Sequence, residues 1–209
     1  MKLRIKFREK EKKEDGEVNY YPAGNGFSPW QFGRNLRQLI EEAKCCEKKT
    51  EILFLCIGSD RATGDSLGPL IGYKLERLAG FERLVVGTLE RPVHAVNLAD
   101  TMREIRCLYP EHLVVAIDAS IGQQEQVGWI SVGRGALCPG LGVSKQLEQV
   151  GDIFITGVVG GSSCREVRCL QSVRLASVMH LADCICDGIQ CAEAEFLQPH
   201  PADILGRTR

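Results

Sequence analysis

The sequence shows no excess of charge of either sign. Its 26 Lys and Arg stand against 27 Asp and Glu, so it carries no electrostatic footprint for nucleic acid. No apolar run reaches the roughly 18 residues that a membrane-spanning helix needs. The N-terminus, MKLRIKFREKEKKEDG, has no apolar stretch of the kind found in a secretory signal. These absences point to a cytoplasmic protein without nucleic-acid or membrane partners. Repeated C-x-x-C spacing is also missing, although the chain has ten cysteines. Zinc ligation is therefore not indicated, and Cys56, Cys169 and Cys184, inside apolar patterns, read as reduced core thiols. With four histidines and many serines, no Ser-His-Asp or Cys-His triad can be picked out by spacing. There is no internal repeat.

What is present is a chain of 209 residues, enough for one domain with a short appendage. We expect an N-terminal extension over 1–49, an α/β/α domain over 50–190 and a tail over 191–209. In the extension, Leu3, Ile5 and Phe7 alternate, and Asp15-Gly16 can turn a hairpin towards Val18 and Tyr20. That charged segment is a candidate dimer arm, hence a candidate homo-oligomer, or a removable propeptide. Ser28-Pro29 then reads as a helix start, with Phe32, Leu36, Leu39, Ile40 and Ala43 at helical spacing.

Strand patterns follow at about Glu51–Gly58, Arg83–Leu89, Leu113–Ile117, Val127–Val132 and Asp152–Val159. Helical patterns fall at Leu67–Leu78, Asn97–Leu108 and Ser163–Asp187, with Gly188 as a stop. Alternating strands and helices imply a three-layer α/β/α sandwich with a mostly parallel sheet. Right-handed crossovers place the first strand between the second and the third. Val127–Val132 follows too closely for a helical crossover and reads as antiparallel or at an edge.

That strand order opens a crevice at the carboxyl ends of strands one and three, where ligands bind in open α/β sheets. Asp65 follows the first strand in the loop SDRATGDS, and Asp118 follows the third. Two carboxylates in one crevice cannot both ionise cheaply, which separates a general acid from a general base. The pair suits addition of water to an amide. The plain alternative is that Asp65, or Ser66, caps the following helix and that Asp118 caps a loop.

Asp65, Asp118 and His94 could together hold a divalent metal, but a lone loop His is more often a surface residue, so no cofactor is expected. Thr63-Gly64-Asp65-Ser66 is similar to a flavodoxin phosphate loop, a nucleotide-binding alternative, but no Trp or Tyr follows the third strand to stack a flavin. His94 and Asn97 are expected to line the crevice. Gly140, Gly142 and Lys145, in PGLGVSK, are expected to hold substrate backbone or a developing oxyanion.

The blocks CIGSDRATGDSLGPLIG, PVHAVNL, VVAIDAS, PGLGVSK and VGDIFITGVVGG resemble, in order, the YyaC-like sporulation proteins, a family of candidate spore proteases. The resemblance covers roughly Ile52 to Ile189. It extends to the spore germination protease and the hydrogenase maturation endopeptidases, which implies the same α/β/α fold. TGDSLGP is similar to a TPDALGP-type loop and AIDAS to a VIDAL-type strand end, so the resemblance implies Asp65 and Asp118 as catalytic aspartates. In the hydrogenase proteases the equivalent acidic residues, with a His, contact nickel in the substrate. His94 is not motif-matched to that third ligand.

The resulting expectation is an endopeptidase of sporulation or germination, in the cytoplasm of the forespore or spore core. Its substrates would be proteins or peptides, small acid-soluble spore proteins among them. A regulatory or binding protein that kept the fold without catalysis is the alternative.

Overall fold

The computed structural model describes residues 18–139, 148–161 and 167–196. Six strands form one sheet: β1 (Asn19–Pro22), β2 (Glu51–Cys56), β3 (Leu84–Val86), β4 (His112–Gly122), β5 (Trp129–Arg134) and β6 (Ile153–Gly161). Their order is β1-β5-β6-β4-β2-β3. β3, β2, β4 and β6 run parallel, β5 is antiparallel to β6, and β1 is antiparallel to β5. The expected placement of the first strand between the second and third is observed. So is the antiparallel strand, although β1 lies outside it and β5 is not the edge.

The helices are α1 (Pro29–Glu47), α2 (Leu67–Glu76), α3 (Leu98–Leu108), α4 (Val167–Ser172) and α5 (Leu175–Phe196). β2 reads as an unbroken apolar run because both of its faces are covered. Ile52, Phe54 and Cys56 join a core with Phe32, Leu36 and Ile40 of α1, Leu67, Ile71 and Leu75 of α2, and Val178, Leu181 and Ile185 of α5. Leu53 and Leu55 point to the opposite face, where Leu98, Met102 and Ile105 of α3 close a second core. The result is an α/β/α sandwich with α1, α2 and α5 on one side and α3 on the other.

Ser28 caps α1 as its sequence predicts, its side chain accepting from the Gln31 N–H at 3.3 Å, with Pro29 in the first turn. The helix of the expected N-terminal extension thus contributes fully buried Phe32 and Leu36 to the main core. β1 likewise extends the sheet. The segment proposed to pair with Val18 and Tyr20 lies outside the described residues, and Tyr20 itself pairs with Ser131 of β5.

Several boundaries differ from the sequence pattern. α2 ends at Glu76, where the Arg77 N–H turns back onto the Leu75 and Lys74 carbonyls. β3 keeps only three residues, because Thr88 closes a turn by donating its N–H to the Arg91 carbonyl at 3.1 Å. On α3, Leu108 is exposed rather than on the packed side. The last helical pattern divides into α4 and α5 and runs to Phe196. Gly188 is not a stop. It lies inside α5, where a Cβ would stand 2.2 Å from the Phe32 ring, so its missing side chain is what lets α1 seat there.

β4 is the correction that matters for function. It continues past Ile117 to Gly122, held by β6 through the pairs Asp118–Thr156 to Gly122–Gly161. Asp118 therefore belongs to a rigid strand, at the level where its other neighbour β2 has already ended.

Candidate functional site

The loop after β2 is closed by its own backbone. Ile57 donates its N–H to the Ile117 carbonyl at 2.7 Å, and Gly58 donates to Val93 at 2.8 Å. Gly58 adopts φ +139°, and a Cβ there would stand 2.0 Å from the Asp65 carbonyl oxygen. Only glycine permits that approach. The Ser59 N–H then donates to the same Asp65 oxygen at 3.1 Å, and the Asp65 N–H to the Ala62 carbonyl at 3.0 Å. Residues 59–65 form a tight loop, and its last residue falls in a 3-10 turn, Gly64–Ser66, ahead of α2.

Neither proposed cap is used. Ser66 occupies the cap position without a side-chain capping bond. Its hydroxyl donates to the Thr63 carbonyl at 2.6 Å. Asp65 is left to face inward.

Asp65 and Asp118 line one cavity of about 220 Å³, together with Ser59, Arg61 and His94. Its apolar wall includes Ile57, Ala95, Val96 and Pro139. Asp118 is only 8 % exposed, and its Oδ1 accepts from the Ala119 N–H at 2.8 Å, a bond suited to a carboxylate acceptor. Burial raises the Asp65 carboxyl above the ordinary carboxylate range, while the Ser59 backbone N–H and the nearby His94 act in the lowering direction. Asp118 is not among the causes of that shift. Burial is the largest cause of the Asp65 shift, a pattern also used where one carboxyl sits in a less polar site than its partner.

His94 reaches the cavity because Val93 bridges to Ile57. The turn that follows is fixed by Asn97, whose Oδ1 accepts from the His94 N–H at 2.8 Å and whose Nδ2 donates to the Pro92 carbonyl at 3.0 Å. Asn97 is not among the residues lining the cavity; both ends of its amide serve the turn instead. The Val96 N–H donates to His94 Nδ1 at 3.4 Å. A neutral imidazole here therefore carries its proton on Nε2.

Gly140, Gly142 and Lys145 lie outside the described residues, although Pro139, which opens their motif, lines the cavity. Ser59, Arg61 and Val96 are lining residues that the sequence reading does not single out. Their signal is positional, since they occupy the loops that leave β2 and follow Val93. Asp65, Asp118 and His94 share the cavity. Among the described residues, however, no group of three or more His, Cys, Asp or Glu is arranged to hold a metal ion.

The expected core thiols are seen in Cys56 and Cys184, both buried. Burial pushes the Cys56 thiol up and holds Cys186, on α5, at about 12. The side chain of Cys169 is outside the description.

Residues 30–188 match the family described as "Protein of unknown function (DUF1256)". The match begins well before Ile52, so it takes in α1. The "Uncharacterized protein YyaC" of Bacillus subtilis (strain 168) is 44 % identical over 142 residues, which is 68 % of this chain and 69 % of that protein. The family match spans both Asp65 and Asp118, and the chain belongs to the DUF1256 family.

Proposed function

We propose that this protein is an endopeptidase that hydrolyses peptide bonds with Asp118 as general base and Asp65 as general acid. The observation that carries the reading is the meeting of these two carboxyls, from loops and strands about fifty residues apart, in one cavity, with burial raising the proton affinity of Asp65. The resemblance to the germination protease supplies the substrate class, proteins of the spore such as small acid-soluble spore proteins, and the setting, the cytoplasm of a sporulating or germinating cell.

In the reaction, Asp118 takes a proton from water as the water oxygen bonds to the scissile carbonyl carbon. Asp65 gives its proton to the carbonyl oxygen. On collapse that oxygen returns its proton to Asp65, the C–N bond breaks, and the leaving amine takes the proton held by Asp118. Acid–base assistance of this kind is worth roughly 10²–10⁴ in rate. A flavin nucleotide is disfavoured here, because none of the described lining residues is Phe, Tyr or Trp.

The test is incubation with spore proteins and a peptide library across pH, comparing the wild-type chain with Asp118→Asn. Cleavage by the first and a loss of roughly 10²-fold or more in the second is expected. Absence of wild-type cleavage at every pH, or equal cleavage by the variant, overturns the proposal and leaves a binding or regulatory role.

A further inference from the structure

Sheet register places a row of polar side chains across four strands. Asp118 of β4 is level with Thr156 of β6, Thr156 with Ser131 of β5, and Ser131 with Tyr20 of β1. Level residues on paired strands project to the same face. For this row it is the α3 face, since Ile57, Val114 and Ala116 on the same parity belong to the core that α3 closes. Ser131 is 8 % exposed, as buried as Asp118. A serine and a threonine in the middle of a sheet call for partners, and these two satisfy each other, with Oγ and Oγ1 2.6 Å apart.

That pair holds two hydroxyl protons and its mutual bond uses one. When Ser131 donates, Thr156 keeps an O–H for the next group in the row, which is Asp118. Paired strands lie about 4.8 Å apart. Among the described residues the Thr156 hydroxyl is bonded to Ser131 and not to the Asp118 carboxylate. Two polar groups level with each other but not directly bonded are suited to a single bridging water.

We infer that Thr156, backed by Ser131, and Asp118 together hold the water that attacks the substrate. The inference rests on the aspartate-pair reading and deepens it. Thr156 flanks Asp118 on the side away from β2, and the loop carrying Asp65 leaves β2. Thr156 is not among the residues lining the cavity, so the water it shares with Asp118 sits at the β6 side of Asp118 and would meet a carbonyl set over the cavity from that flank, with Asp65 on the other. Thr156 orients the water through its hydroxyl while Asp118 removes the proton, so Thr156 is a positioning residue. Ser131 fixes the direction of the Thr156 O–H.

A crystal structure of the wild-type chain, at a resolution that places ordered water, tests the site without any need for turnover. It should show one water within hydrogen-bond distance of both Thr156 Oγ1 and the Asp118 carboxylate. That water should persist in Thr156→Ser and be lost in Thr156→Val. In turnover of a cleaved peptide, Thr156→Val should lower kcat roughly tenfold or more with KM unchanged. Thr156→Ser should stay near wild type, and Ser131→Ala should fall between. If Thr156→Val does not fold, Thr156→Ser and Ser131→Ala carry the same comparison. A direct Thr156–Asp118 bond, or no water at that position, overturns the inference even if the protein is a peptidase. So does wild-type kcat in both Thr156→Val and Ser131→Ala. Failure to find any cleaved substrate sinks the peptidase reading, while the water position still decides this one.

Discussion

The backbone N–H of Ser59 donates to the carbonyl oxygen of Asp65 at 3.1 Å, with Gly58 beneath it at φ +139°. This one closure turns a flexible-looking polar loop into a rigid support for an acidic side chain. It also removes that side chain from its ordinary role at a helix start. The carboxyl is carried inward, where burial alters its proton affinity.

Substituting Gly58 should therefore damage both fold and site. In Gly58→Ala the new Cβ meets the Asp65 oxygen, and the left-handed φ is strained for any side chain. We expect a loss of roughly 1–3 kcal/mol in urea unfolding. Peptide cleavage should fall further than the loss of folded protein explains.

Asp65 has an opposite effect on stability. Its folded carboxyl binds a proton more tightly than the unfolded one, so its contribution favours folding at low pH. That contribution is lost as pH rises from the ordinary carboxylate range through the raised folded value. At neutral pH burying this carboxyl is a cost, because the unfolded chain ionises it more readily than the folded one. Asp65→Asn should raise the melting temperature at pH 7, on the order of 2–4 °C, and the gain should vanish in acid. Thermal unfolding at pH 7 and pH 4 checks the sign.

Phe32→Ala tests whether α1 is an appendage. Phe32 is fully buried in the main core, against Gly188 of α5. Its truncation should cost roughly 3–5 kcal/mol in denaturant unfolding. A cost below about 1 kcal/mol would mean that α1 docks only loosely.

Asn97→Ala removes both side-chain bonds that fix the His94 turn. Stability should fall by roughly 1–2 kcal/mol, and cleavage should weaken through misplacement of His94. Asn97→Asp keeps the Oδ1 acceptor for His94 and should retain more of both. Equal losses in the two variants would show that the Pro92 bond alone matters.

Much of this was legible in the residues. Apolar runs covered on both faces read as parallel strands, and the right-handed crossover rule then puts β2 between β3 and β4. From that order alone, the two aspartates fall at one sheet edge. Other features depend on distant partners. Nothing local in Ala119-Ser120-Ile121-Gly122 announces a strand; β4 continues there because β6 pairs with it. Gly188 has the appearance of a helix stop until Phe32 is seen against it. Asn97 is polar and near His94, which suggests a ligand contact, yet its amide is satisfied by backbone groups three and five residues away. Asp65 precedes a helix and resembles a cap; only the closure onto Ser59 shows otherwise.

The central claim is that burial raises the proton affinity of Asp65, beside an Asp118 proposed as the base. Carboxyl carbon NMR of Asp65, followed from pH 3 to pH 8 in the wild-type chain and in Asp118→Asn, tests it most directly. The account predicts a midpoint clearly above the usual aspartate value of about 3.9, largely unchanged when Asp118 is neutralised. A midpoint at or below that usual value, or one that drops to it in Asp118→Asn, would contradict it.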